Sequence, residues 1–189
     1  EPACFTLGPK TFLNAACMRL ARGGIFRFDP RTHRLDVLAK GWNNAWGHAI
    51  DRFGNSLVTD ASYDGGPFDA FPGAVYWDYA GGRAVVPIER PRQPQFAGME
   101  LAHSQRLPDD WQGDLLCAAF KGNRIARYGV REQGSTWAIE PKGDLVRSTD
   151  TTFRPIDVKL GPDGAVYIAD WANPIINHGE VDFRDPRRD

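Results

Sequence analysis

Ile156-Asp157-Val158-Lys159-Leu160 turns at Gly161-Pro162-Asp163-Gly164 and continues as Ala165-Val166-Tyr167-Ile168-Ala169-Asp170. Apolar residues alternate with others along both arms, which is the pattern of half-buried strands. The Pro-Asp-Gly between them is turn chemistry. Pro sets φ in advance, Asp bonds its own backbone and Gly supplies a positive φ. The unit recurs at Gly47-His48-Ala49-Ile50-Asp51, which turns at Arg52-Phe53-Gly54 into Ser56-Leu57-Val58-Thr59-Asp60. In both copies the turn glycine stands six residues before the closing aspartate, Gly54 before Asp60 and Gly164 before Asp170. A degenerate middle copy turns at Gln112-Gly113 into Leu115-Leu116-Cys117. The turn glycines Gly54, Gly113 and Gly164 lie 59 and 51 residues apart. Several short strands per unit, at a period of about 40–50 residues, read as propeller blades.

Further strands fill out the blades. Gly24-Ile25-Phe26-Arg27-Phe28, the turn Asp29-Pro30-Arg31-Thr32 and Leu35-Asp36-Val37-Leu38 make a β-hairpin. The pattern predicts a half blade over 24–40, blades over 46–90 and 99–147, and a half blade over 154–171. In the first full blade the strands are Trp46–Ile50, Ser56–Asp60, Ala74–Trp77 and Ala84–Ile88. In the second they are Met99–Ser104, Asp114–Phe120, Asn123–Tyr128 and Trp137–Glu140. Residues 1–23 and 172–189 read as irregular. The expected class is all-β, a partial β-propeller of four-stranded blades. About three blades do not close a ring, because propellers have at least four. An open stack would leave two unpaired edges. The remaining blades are therefore expected from the same polypeptide or another chain.

The 189 residues suit one domain with an ample core. With 23 basic and 24 acidic residues and a net charge of −1, no concentrated basic surface for nucleic acid is expected. The run Arg184 to Arg188 is interleaved with Asp182, Asp185 and Asp189 and reads as a charge-paired turn. The longest apolar run, Leu115 to Phe120, is far short of a membrane span. No signal peptide is visible, and a removed leader or an internal piece would both explain a start at Glu1-Pro2. The cysteines Cys4, Cys17 and Cys117 form no CxxC, no CxxCH and no zinc spacing, so neither structural zinc nor an attached haem is expected. Cys4 and Cys17 either pair in an oxidising compartment or remain buried thiols, and Cys117 reads as core.

In a propeller the innermost strand of each blade lines the central channel. His48 and Asp157 lie near the starts of inner strands, and Arg154 stands just before one. They form either a polar cluster at the channel mouth or hydrogen bonds between adjacent blades. In the first reading His48 is a general base that takes the proton from a substrate hydroxyl. Asp60 and Asp170 close equivalent strands. Their hard oxygens suit calcium, but a repeated position favours turn capping, and Asn123 and Asn173 fit the same role. Trp77 and Trp137 read as core between blades, while Trp171, at a strand end, is placed to face a ligand. The loop Tyr63-Asp64-Gly65-Gly66-Pro67-Phe68-Asp69 has the turn residues and aromatics of a lid.

Two stretches carry a family resemblance. The first runs from Phe153-Arg154-Pro155 through the repeat to Trp171, then Asn173-Pro174-Ile175-Ile176, His178-Gly179 and Asp182 to Asp189. The second is Gly23-Gly24-Ile25-Phe26-Arg27-Phe28-Asp29-Pro30, with Trp46-Gly47-His48-Ala49 and Phe71-Pro72-Gly73-Ala74. Together they resemble the propeller of membrane-bound dehydrogenases of planctomycete-type bacteria. Those are similar in turn to quinoprotein sugar dehydrogenases of the sorbosone and soluble glucose type. The resemblance implies a six-bladed propeller in the periplasm or at the cell surface. It also implies pyrroloquinoline quinone (PQQ) over the channel, calcium polarising it, and a small carbohydrate or alcohol as substrate. The family's quinone segment, Arg-Asn-Pro-x-Gly, corresponds to Asn43-Asn44-Ala45-Trp46-Gly47, where Asn44 and Gly47 match. Cofactor binding thus falls to Asn44, Gly47, Arg154 and Asp157 and catalysis to His48, with the metal ligands unassigned. Asn43 stands in place of the family's Arg and restores neither its charge nor its bidentate contact. A second function therefore stays open, a non-catalytic propeller whose channel mouth holds a glycan or a protein.

Overall fold

The computed structural model describes residues 6–7, 11–12, 23–42, 44–60, 67–70, 72–75, 96–134 and 136–174. In chain order the strands are β1 (Thr6–Leu7), β2 (Thr11–Phe12), β3 (Gly23–Asp29), β4 (Arg34–Trp42), β5 (Ala45–Ile50), β6 (Ser56–Asp60) and β7 (Phe68–Asp69). Then come β8 (Ala74–Val75), β9 (Met99–Leu101), β10 (Leu115–Ala119), β11 (Arg124–Gln133), β12 (Thr136–Arg147), β13 (Pro155–Leu160) and β14 (Val166–Asp170). Short 3₁₀ turns cover Asp109–Trp111 and Phe120–Gly122. The described residues hold no α-helix, and the fold is a partial β-propeller.

The chain divides into two compact units, Glu1–Ala45 with Ala70–Val85, and Trp46–Asp69 with Val86–Asp189. In the first unit β1 pairs with β2, a small ladder where the sequence reads as irregular. There β3 and β4 form the expected hairpin, with Asp29 opposite Arg34. The Asp29 carboxylate accepts the Arg31 N–H at 2.8 Å across the turn. The third strand of this sheet is β8, parallel to β4 through Ala39↔Ala74 and Lys40↔Val75.

That pairing differs from the sequence reading, which places Ala74 in the blade of Ser56–Asp60. The partner of β6 is instead β7, with Leu57 opposite Asp69 and Val58 opposite Phe68. Phe68 is buried, so this part of the expected lid is a strand whose aromatic ring goes inward. The Gly-Gly-Pro signal before it masks a two-residue strand too short to show a period. Residues 63–66 of that loop, Trp77, Ala84–Ile88, Asn43, Cys4 and Cys17 lie outside the described residues.

The second unit holds the sheets β5-β6-β7, β12-β11-β10-β9 and β13-β14. The three repeat glycines have the conformation their turns demand, with φ of +87° at Gly54, +83° at Gly113 and +79° at Gly164. The first and last turns are built alike. The Asp51 N–H reaches the Asn55 carbonyl at 2.9 Å, and the Gly161 N–H reaches the Ala165 carbonyl at 2.9 Å. In the four-stranded sheet β11 and β12 close on a hairpin at Gly134, where φ is +63°.

β10 explains the core. All five of its residues are buried, because it is covered on both faces. Leu115, Cys117 and Ala119 pack with Ala49, Leu57, Phe96 and Met99. Leu116, Ala118 and Phe120 pack with Ala97, Ile125 and Val158 on the opposite side. The β9–β12 sheet is thus the middle layer of three. Burial raises the Cys117 thiol far above its ordinary range, so no thiolate forms at neutral pH. In the native full-length protein Cys117 is expected to resist Ellman's reagent and to react only on unfolding, and prompt native labelling would contradict this burial.

Candidate channel-mouth site

The inner strands β5, β9 and β13 are joined by backbone contacts that only glycine allows. A Cβ on Gly47 would stand 2.5 Å from the Ala97 carbonyl oxygen and 2.7 Å from the Thr59 Oγ1. The Gly47 N–H donates to Thr59 Oγ1 at 2.8 Å, and that hydroxyl donates to the Ala97 carbonyl at 2.5 Å. The next junction repeats the device, with the Gly98 N–H donating to the Ile156 carbonyl at 2.8 Å.

This close approach assembles a polar group from three strands. Lys159 Nζ lies 3.5 Å from the Asp157 carboxylate and 3.8 Å from that of Glu100. It also donates to the Met99 carbonyl at 2.7 Å. His48 feels the Lys159 charge, and its Nε2 is buried with no hydrogen-bond partner among the described residues. Burial first, and Lys159 second, hold the imidazole below its ordinary pKa of 6.5. His48 is therefore neutral at pH 7 and able to accept a proton.

The lowered pKa has a sign. The folded state binds fewer protons at His48 than the unfolded state does. Stability from keeping it neutral is complete above about pH 6.5 and is lost as pH falls from there through the lower folded value. His48→Gln is expected to flatten the acid limb of the melting temperature against pH. An unchanged limb would show that His48 is not held neutral by the fold.

The other candidates are placed differently. Arg154 donates through Nε, Nη1 and Nη2 to the carbonyls of Asn173 (3.2 Å), Phe120 (3.1 Å) and Pro174 (2.8 Å). It acts as a clamp on the chain at the entry to β13. Asp170 accepts the N–H groups of Arg154 at 2.6 Å and Ala172 at 3.2 Å, which is turn capping. Asn123, at a φ of +52°, donates to the Phe153 carbonyl at 2.6 Å and fills the same kind of role. Asn44 occupies a bend before β5, within the first unit. Trp137 is half-buried and Trp171 exposed. The Trp111 ring lies under the Arg127 guanidinium, 4.2 Å from its centroid, which leaves that face closed to a sugar.

Sequence reasoning missed Glu100 and Lys159. The signal was present. Glu100 is the polar member of the apolar strand Met99-Glu100-Leu101, and Lys159 follows Asp157 at the period-two spacing that returns a side chain to the same face.

No curated protein matches the chain. Among solved structures it is similar to an oxidoreductase (glucose dehydrogenase) from Thermus thermophilus, with a TM-score of 0.58 and 19% identity over 92% of this chain and 46% of that one. It is also similar to the PQQ-bound aldose sugar dehydrogenase of Streptomyces coelicolor, with a TM-score of 0.57 and 20% identity over 80% of this chain and 46% of that one. The soluble aldose sugar dehydrogenase of Escherichia coli, in its apo form, matches with a TM-score of 0.53 and 20% identity over 70% of this chain and 43% of that one. The chain spans less than half the length of these structures, and the likeness shows the propeller fold. The family model described as a domain of unknown function, DUF7133, matches residues 91–189. That match takes in the middle sheet, β13 and β14, and Glu100, Asp157 and Lys159, and the chain belongs to the DUF7133 family.

Proposed function

We propose that this chain forms part of the channel of a dehydrogenase that oxidises a hydroxyl of a small carbohydrate or alcohol, with His48 accepting the hydroxyl proton. The observation that carries the reading is the buried, unpartnered Nε2 of a neutral imidazole on an inner strand. A buried nitrogen without a partner is costly unless a ligand completes it. Burial and the Lys159 charge keep the imidazole unprotonated, and the Lys159 ammonium and the two carboxylates beside it supply hydrogen bonds for neighbouring hydroxyls. Gly47 and Arg154 serve such a site by building its walls, one through close strand approach and the other by clamping the entry to β13.

PQQ, bound by the Streptomyces coelicolor protein, is an ortho-quinone with three carboxylates. Lys159 is already paired with two carboxylates, and three of the Arg154 guanidinium donors are engaged by carbonyls. His48 thus suits the proton-accepting half of the chemistry, whereas Lys159 and Arg154 do not suit the anchoring of a trianion. No group of three or more His, Cys, Asp or Glu able to hold a metal occurs among them. Cations for the quinone and ligands for calcium belong, in this reading, to residues outside the described ones or to further blades. An extracytoplasmic location, periplasmic or cell-surface, goes with the same reading. No helix among the described residues is long and apolar enough to cross a membrane.

The test is dye reduction by the whole protein supplied with PQQ and calcium, against a panel of aldoses and alcohols. Turnover is expected with at least one substrate, and His48→Ala is expected to lower kcat by roughly 100-fold or more. No turnover across the panel would sink the dehydrogenase reading. It would favour the non-catalytic one, in which the same mouth holds a glycan or protein.

A further inference from the structure

The junction between the β5–β7 sheet and the middle sheet opens, at its turn end, into a cavity of about 470 Å³. Its floor is the end of a core layer, with Leu57, Leu101 and Val130 beside the half-buried Trp137. At its edge stands Phe53, 72% exposed although it is a large apolar ring on the tip of a tight turn. Turn geometry does not ask for an aromatic there. The turn is made by Asp51, whose carboxylate accepts the N–H groups of Phe53 and Asn55, both at 2.8 Å.

The polar groups of the rim fall into two sets. Asp51, Asn55 and Gln112 are engaged in scaffolding. Asn55 donates to Asp51 at 2.8 Å, and the Gln112 amide donates to the Ser104 and Leu107 carbonyls at 2.7 and 3.1 Å. Arg52, His103 and Glu132 line the same cavity, and their side chains make no hydrogen bond or ion pair among the described residues. Arg52 lies over the Phe53 ring, 4.8 Å from its centroid, which holds the guanidinium at the rim.

We propose that this cavity is a carbohydrate-binding site separate from the channel mouth, and that its ligand is a neutral sugar ring. The volume falls within the usual range of small-ligand sites. Phe53 and Trp137 supply aromatic surface for the C–H face of a pyranose, with Arg52 covering one face of the Phe53 ring. The available groups are of both signs. A cation would meet Arg52 and an anion would meet Glu132 and Asp51, whereas a hydroxyl both donates and accepts and satisfies either. Mixed charge beside aromatic rings therefore disfavours a singly charged ligand and suits a polyhydroxylated neutral one. The site does not depend on dehydrogenase activity. It would anchor the protein on a glycan whether or not the channel turns over.

The experiment is titration calorimetry on the full-length protein with maltose, cellobiose and chitobiose, and with glucuronate as an anionic control. At least one neutral disaccharide is expected to bind saturably. Phe53→Ala is expected to weaken it at least tenfold and Glu132→Gln to weaken it measurably. Both side chains are exposed, so both variants should keep the wild-type melting temperature and any dye-reducing activity. Separately, His48→Ala is expected to leave the affinity unchanged, which distinguishes this site from the channel mouth. Three outcomes would overturn the proposal: no saturable binding of any neutral probe, tighter binding of glucuronate, or binding that Phe53→Ala leaves intact.

Discussion

Asp114→Ala is expected to destabilise the protein by about 3–5 kcal/mol, the usual cost of removing one partner of a buried ion pair. Asp114, just before β10, pairs diagonally with Arg127 on β11, with Nε to Oδ2 at 2.5 Å and side chains only 5% and 10% exposed. The guanidinium also donates to the Asp110 carbonyl at 2.7 Å. Without Asp114 the Arg127 charge stays buried with the exposed Asp110 as its remaining ionic partner. Lys142, 3.3 Å from Asp114 but 41% exposed, contributes little because water screens it. Urea denaturation of the full-length protein measures the loss. The double variant Asp114→Leu with Arg127→Met should recover most of it, since apolar side chains of similar size replace such pairs at little cost. A single-variant loss below about 1 kcal/mol would place this pair with solvent-screened surface bridges instead.

The second large effect belongs to the glycines between inner strands. Gly98→Ala would bring a Cβ within 2.7 Å of the Asp157 Cα, and Gly47→Ala would bring one within 3.0 Å of the Met99 nitrogen. Backbone cannot yield as a side-chain tip can, so each is expected to cost roughly 1–3 kcal/mol or more. Gly54→Ala is the contrasting control. A Cβ there meets open space, so that variant pays only for its φ of +87°. Gly98→Ala carries a further expectation. Moving Asp157 disturbs the ion pairing of Lys159, so the His48 titration followed by NMR should shift. An unshifted His48 would show that the channel-mouth groups are not coupled through β13.

The parts of the fold that were legible in the sequence are those fixed by local chemistry. Gly54, Gly113 and Gly164 announce their turns because few other residues adopt those φ values cheaply. The alternation of β13 and the apolar run of β10 show as strands for the same local reason. The parallel pairing of β8 with β4, and the short strand β7, were not legible. Strand partners are chosen by long-range packing, and two residues hold no period. The site divides in the same way. His48 and Asp157 could be named from their places in the repeat. Glu100 and Lys159 become part of the group only when β9 and β13 meet, and that meeting depends on a glycine, Gly98, which carries no chemistry of its own. Arg154 reads as a ligand-binding cation in the chain, and only its three carbonyl acceptors reveal the clamp.

The two-sided burial of β10 gives its residues an address. Odd-numbered positions, Leu115 and Cys117, answer to the junction with β5–β7, and even-numbered ones, Leu116 and Ala118, to the junction with β13 and β14. Shortening Leu115 should loosen the seam that holds His48, while shortening Leu116 should loosen the seam that holds Asp157 and Lys159. Neighbouring residues on one strand thus belong to separate packing seams, and hydrogen exchange read strand by strand should show the two seams opening independently.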